Sequence, residues 1–300
     1  MQRRSSASPS FQDSAMRLMY GLEYSTWKFI WDLVLIVSRP PKDSRLVPFV
    51  QTLWTCETEN SYGLEQILPN GRAQLLINLQ DNALHNYHPS GLLRQRASGM
   101  AVQGPLSSPL VIDMAEQAKL CGVSFSPGGA FAFFGGAFSE NGFGLVDLVD
   151  LSWPEPWALH EQLSRANHAD ERLDLLEAAF LDLAPISQSW DKIVRQASVL
   201  LARGVNVRDV ARQCNTSQQT LITRFRERTG LTPKTFSRIE RFQRLLRNYG
   251  NKKTWAEAAL DAGFSDQSHM VRDFKCLAGV SPTTYEPSGS DQHNHIVLPT

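Results

Sequence analysis

The C-terminal third of the chain repeats a pattern at an interval of 49 residues: Leu221 recurs as Met270, Phe225 as Phe274, Gly230 as Gly279 and Pro233 as Pro282. Upstream the interval is 48, from Ala211 to Ala259 and from Ser217 to Ser265, which predicts one extra residue at the start of the second unit's final helix. Apolar residues four apart share a helix face, glycine suits a helix end and proline the start of the next. Each copy therefore spells helix, sharp turn, helix, a duplicated supersecondary unit that restricts the fold more than composition does.

In the first unit Asn206 is placed to cap a helix with Asp209 in its first turn, and Val207, Val210, Ala211 and Cys214 share one apolar face. Asn215 and Gly263 stand where the two turns want a positive φ. Ser217 caps the next helix; with Leu221 and Phe225 turned inward, Gln219, Thr223 and Arg226 face outward, flanked by Thr220 and Ile222. In the second unit Met270 and Phe274 point inward, Ser268, Arg272 and Lys275 outward, and Gln267 and His269 lie near the N-terminal turn. Between the units, Pro233 opens a helix whose stripe is Phe236, Ile239, Phe242 and Leu245 or Leu246. Such a rod would set both outward faces about 34 Å apart, one turn of a duplex.

The chain carries no net charge, yet residues 190–286 hold 17 Lys and Arg against 9 Asp and Glu, while residues 1–189 hold 13 against 20. Only the C-terminal part has the sign that releases counterions from a phosphate backbone. Its excess marks Arg224, Arg226, Arg228, Lys252, Lys253 and Lys275 as phosphate contacts, with Arg241 expected to pair inside the domain. Glutamine matches adenine and arginine matches guanine in a major groove, so Gln219, Gln267 and Arg272 are the strongest base-reading candidates.

The run Gly263-Phe264-Ser265-Asp266-Gln267-Ser268-His269, followed by Arg272-x-Phe274-Lys275 and Gly279-Val280-Ser281-Pro282, resembles the DNA-binding domain of AraC/XylS-type transcription regulators. Gly230-Leu231-Thr232-Pro233-Lys234 closes the first unit in the same style, and the resemblance covers Trp190 to Tyr285. It implies double-stranded DNA as partner, RNA polymerase as a second partner of an activator, and base contacts at Gln219, Ile222, Thr223, Gln267, Ser268, His269 and Arg272. It implies neither catalysis nor a cofactor. Two positions depart from the family: Thr223 stands where Arg is frequent, and Met270 replaces a usual Phe.

The fold expected is α+β in two domains, a β-rich N-terminal domain with closing helices and an all-α C-terminal domain of two helix-turn-helix units. Residues 1–38 read as an extension, 39–184 as the β-rich domain, 190–286 as the DNA-binding domain and 287–300 as a polar tail. Short apolar runs at Val47–Trp54, Ala73–Leu79 and Leu120–Phe125, punctuated by turns such as Pro69-Asn70-Gly71, point to strands. Helical spacing returns at Trp157–Leu163 and Glu171–Leu183, Pro185–Ser189 reads as a linker, and Ile193, Val194, Ala197, Leu200 and Leu201 form a stripe ending at Gly204. Leu68-Pro69-Asn70-Gly71 with Leu75–Leu79, and Gly122-Val123-Ser124-Phe125-Ser126-Pro127-Gly128-Gly129, resemble a β-rich domain found ahead of this module in one subgroup. A small-molecule effector or a second copy of the chain is the partner expected for it.

Other chemistries find little support. Cys56, Cys121, Cys214 and Cys276 show no Cys-x-x-Cys spacing, with the last two at apolar helix positions, which fits a reducing cytoplasm and neither zinc nor disulfides. Cys56 and Cys121 also lack the adjacent basic residue that an alkyl-accepting thiol needs, the rival in which an enzyme is fused to a DNA reader. The apolar run Trp27–Val37 is too short to span a bilayer. His85-Asn86-Tyr87-His88 has no third ligand at a supporting spacing and reads as a solvated loop. The glycines at 128–129 and 135–136 lack a phosphate-loop order and read as turns. Trp54, Trp153, Trp157 and Phe131–Phe134 read as core before effector pocket.

Overall fold

The computed structural model describes residues 27–31, 34–58, 63–80, 83–88, 90–140, 144–183, 191–250, 254–288 and 293–298. The class is α+β, a β-rich part followed by an all-helical part. One antiparallel sheet of seven strands runs in the order β1 (Trp27–Trp31), β2 (Val34–Arg39), β3 (Val50–Thr58), β10 (Lys119–Phe125), β5 (Gln74–Asn78), β8 (Met100–Gln103) and β11 (Leu145–Asp147). A second sheet of five runs β12 (His295–Val297), β4 (Leu64–Ile67), β9 (Leu110–Asp113), β6 (Ala83–Tyr87) and β7 (Leu93–Ser98).

Strand β10 is apolar almost throughout because both of its faces are covered. On one side α3 (Ala169–Leu183) buries Leu173, Leu176 and Phe180. The Phe180 ring meets Phe125 at 5.7 Å and Phe133 at 4.9 Å, both edge-on, as aromatic quadrupoles prefer. On the other side Leu120 joins Leu84, Ala97 and Ala101 in a smaller core. Helix α1 (Gly129–Glu140), entered through the turn at Gly128, supplies Phe133 and Phe134, and Trp153 precedes α2 (Pro156–Arg165). Phe133, Phe134 and Trp153 are therefore core, while Trp157 is exposed. Buried Arg39 on β2 fastens α3 through Glu177 and Asp174, each at 2.5 Å.

Several sequence expectations need correction. Residues 27–31 and 34–38, assigned to an extension, form strands that continue the sheet beyond β3. His85 and Tyr87 lie on strand β6 and share Glu116, at 3.1 Å and 2.9 Å, so the segment is no solvated loop. Gly135 and Gly136 fall inside α1, with a kink at Gly135, and not in a turn. The polar tail contributes β12, paired antiparallel with β4. The Pro185–Ser189 linker lies outside the described residues.

The helical part contains α4 (Lys192–Ala202), α5 (Val207–Gln213), α6 (Gln218–Thr229), α7 (Pro233–Gly250), α8 (Trp255–Ala262), α9 (Gln267–Ala278) and a 3-10 turn, Pro282–Thr284. Helix α7 is the expected rod: Phe236, Ile239, Phe242, Leu245 and Leu246 are all at most 1% exposed, so both leucines belong to the stripe. They pack with Leu221, Phe225, Met270 and Phe274 in a single core shared by the two units.

Candidate nucleic-acid interface

Each unit is shaped by local signals that the side chains carry out. Asn206 caps α5 by accepting from the Asp209 amide at 3.0 Å, and Ser217 caps α6 by accepting from the Thr220 amide at 3.0 Å. Thr254 and Glu257 form a capping box on α8, and Asp266 caps α9 by accepting from the His269 amide at 2.7 Å. Asn215 (φ 49°) and Gly263 (φ 87°) occupy the left-handed region at the two turns, and Gly230 and Gly279 close α6 and α9. The caps Ser217 and Asp266 are 49 apart, while the turn residues Asn215 and Gly263 are 48 apart. The extra residue therefore sits in the second turn, not at the start of its helix.

Helices α6 and α9 turn Leu221, Phe225, Met270 and Phe274 inward and present a polar row outward. Gln219, Ile222, Thr223, Gln267, Ser268 and Arg272 are exposed, as are Arg224, Arg226 and Lys275. Lys252 and Lys253 lie outside the described residues. Two candidates are engaged within the chain. The Arg228 guanidinium stacks on the Phe131 ring at 4.3 Å and lies 4.0 Å from Asp191. The half-buried His269 ring lies 3.2 Å from Ser265 Oγ and 3.5 Å from both Arg241 and Asp273. Arg241 pairs with Asp273 at 3.3 Å and covers the Phe264 ring.

The β-rich part does not stand off from this surface. Its segment Gln66–Arg72 lies against the rod and the end of α9. Leu68 is 1% exposed and belongs to the helical core. Gln243 donates to Pro69 O at 2.7 Å, Gln66 donates to Ala278 O at 2.6 Å, and Arg72 pairs with Glu240 at 2.8 Å. Gly71, at φ 73°, keeps the turn close enough for Phe236 and Ile239 to pack on it; a Cβ there would sit 3.4 Å from the Phe236 ring in a disfavoured conformation.

The tail completes the joint. Leu68 N donates to Asn294 O at 2.8 Å, and Ile296 on β12 enters the helical core. Glu65 receives Ser288 Oγ at 2.7 Å and lies 2.9 Å from His295 Nδ1. Burial pushes the Glu65 carboxyl up, but the His295 and Ser288 contacts outweigh it and hold it below the usual range. No sequence signal of ordinary strength marks this joint, because Gln66, Glu65 and Gln243 are polar residues that pattern reading assigns to surface.

The Cys56 and Cys121 thiols are held in the protonated form. Burial, with the charges of Glu65 and Glu57, pushes Cys56 up to about 12, and burial pushes Cys121 up to about 12. An alkyl acceptor needs the opposite shift. Cys214 is buried as expected, whereas Cys276 is exposed. Among the described residues no group of His, Cys, Asp and Glu is arranged to hold a metal, and no helix is long and apolar enough to cross a membrane.

Residues 210–287 match the family described as a helix-turn-helix domain, and residues 38–141 match the Domain of unknown function (DUF6597). No curated protein matches the chain. A crystal structure of ToxT from Vibrio cholerae O395 is similar with a TM-score of 0.44 and 12% identity, over 76% of this chain and 97% of that one. A 1.65 Å structure of ToxT from Vibrio cholerae is similar with a TM-score of 0.43 and 13% identity, over 76% and 94%. Residues 210–287 thus form a helix-turn-helix domain, which resembles that of AraC/XylS-type transcription regulators, carried behind a domain of the second matched family.

Proposed function

We propose that the chain reads a specific promoter sequence by seating α6 and α9 in successive major grooves of double-stranded DNA. Gln219, Ile222, Thr223, Gln267, Ser268, His269 and Arg272 are the base-contacting set, and Arg224, Arg226, Arg228, Lys252, Lys253 and Lys275 the phosphate-contacting set. The observation that carries this reading is the exposed polar row on two capped helices that share one buried rod. Residues 39–184 and 190–286 act as signal-receiving and DNA-binding units in the cytoplasm. The seating of Gln66–Arg72 on the rod supports modulation of one by the other: an effector, or a second copy of the chain, that prefers one arrangement of the joint changes DNA affinity. RNA polymerase is a partner if the outcome is activation.

Selection of duplexes from a randomised pool with the full chain tests the proposal. Enrichment of a site with two half-sites about 10 base pairs apart is expected. Binding of all sequences alike, with only a salt dependence, would overturn it. A thermal-shift screen of metabolites on the same chain tests modulation, since a ligand of the native state raises the midpoint by mass action.

A further inference from the structure

Asp273 is a carboxylate only 7% exposed on a helix that otherwise faces solvent with its polar side chains. Its Oδ1 accepts from Arg238 Nε at 2.7 Å and its Oδ2 from Arg241 Nη2 at 3.3 Å, two arginines three residues apart on the rod. The same Oδ2 lies 3.5 Å from His269 Nε2, whose other ring nitrogen is 3.2 Å from Ser265 Oγ. Ser265 Oγ in turn donates to Asp266 Oδ2 at 3.0 Å, and Asp266 caps the helix. A continuous polar chain thus runs from the rod through Asp273 to the N-terminus of the second recognition helix. The first unit differs: the positions 49 residues earlier are Arg224, which is exposed, and Thr220, whose hydroxyl bonds the local cap Ser217.

We infer that Asp273 is a positioning residue for sequence reading by α9: it fixes the rotation of that helix on the rod, so Arg272 beside it is aimed at one base pair. His269, one of the base-contacting set proposed above, is a member of the same chain. Met270, Phe274, Leu277 and Ala278 seat the helix on the core by non-directional packing, and the ion pairs add the directional constraint that a bidentate arginine contact needs. Removing the charge leaves Arg238 and Arg241 to repel each other against the buried face of α9.

This inference rests on the proposed DNA reading, and its test separates the two. Asp273→Asn in the full chain is compared with wild type on the selected duplex and on every single-base variant of it, over a range of salt. A roughly tenfold loss of preference, the scale of one good base contact, is expected at the pairs read by α9, with the pairs read by α6 and the salt slope unchanged. An Asp273→Asn profile equal to wild type at every position overturns the inference, whatever happens to the melting midpoint. Should Asp273→Asn fail to fold, Arg241→Gln, on a more exposed side chain, decides by the same profile. If wild type itself shows no preferred duplex, it is the underlying reading that fails.

Discussion

The two helix-turn-helix units are near-copies that differ in how they are fastened. Both start their recognition helix on a side-chain cap, end it on a left-handed glycine and bury the same two positions against α7. The first is held by aromatic packing, Phe225 on Phe236 at 5.3 Å, and touches the β-rich part through Arg228 on Phe131. The second adds the Asp273 ion pairs, the Gln66 bond to its last turn, and Tyr285 edge-on to Phe274 at 5.4 Å. Duplication has kept the signals that start and stop helices and has let the attachments diverge. The second unit is the one tied to the rod by ion pairs and the one closest to the tail joint.

The sharpest attack on that comparison is on the shared rod. Phe236→Ala removes the ring facing the first unit and Phe242→Ala the ring 5.4 Å from Phe274 in the second. Each is expected to cost about 3–5 kcal/mol, as large-to-small changes of buried aromatics do. Because both side chains belong to one core, thermal melts of helical signal should show a single transition for each variant. Two separated transitions would mean that the units are independent. Next in size is a chain ended after Glu286, which loses β12 and the buried Ile296. Burial of one such side chain is worth about 1.5–3 kcal/mol. Amide exchange should quicken in α9 more than in α6, and equal quickening would break the asymmetry.

On DNA the same contrast predicts unequal readers. Arg272→Ala should lose about 1–3 kcal/mol on the selected duplex and relax one base pair. Thr223→Ala should lose about 1 kcal/mol or less, since a hydroxyl offers a single neutral hydrogen bond. Binding isotherms on base-substituted duplexes compare the two directly. A larger loss at Thr223 would make the first unit the dominant reader.

The helical third was legible because its instructions are local. Asn206, Ser217, Asn215 and Gly263 each act on neighbours within a few residues, and the apolar spacing of α7 names its own buried face. The β-rich part was legible only as a class. Strands β3, β5 and β10 carry apolar runs, but β6, with His85, Asn86 and Tyr87, and β7, with Arg94, Gln95 and Arg96, owe their extended form to cross-strand pairing and to a distant Glu116. Strand β12 was invisible for the same reason: three residues in a polar tail become a strand because β4 offers them an edge. The outward row on α6 and α9 followed from helix geometry. The engagement of His269 and Arg228 did not, because their partners lie outside their own helices.

The smallest predicted effect is also the cleanest distinction between the copies, because one cap titrates and the other does not. Ser217 is neutral at every pH, while Asp266 caps α9 as a carboxylate. The backbone amide of His269, then the Ser265 hydroxyl, stabilise its charge and hold its pKa below the usual carboxylate range. A depressed folded-state value means stability that is complete above the unfolded value, about pH 3.9, and is lost as pH falls through the lower folded value. Acidification below about pH 4 should therefore fray the first turn of α9 before that of α6, in the exchange of their leading amides. Asp266→Ser keeps a cap but removes the titration, so the two helices should then respond alike over that window. If α9 in the serine variant still frays first, the cap is not the source of the acid sensitivity.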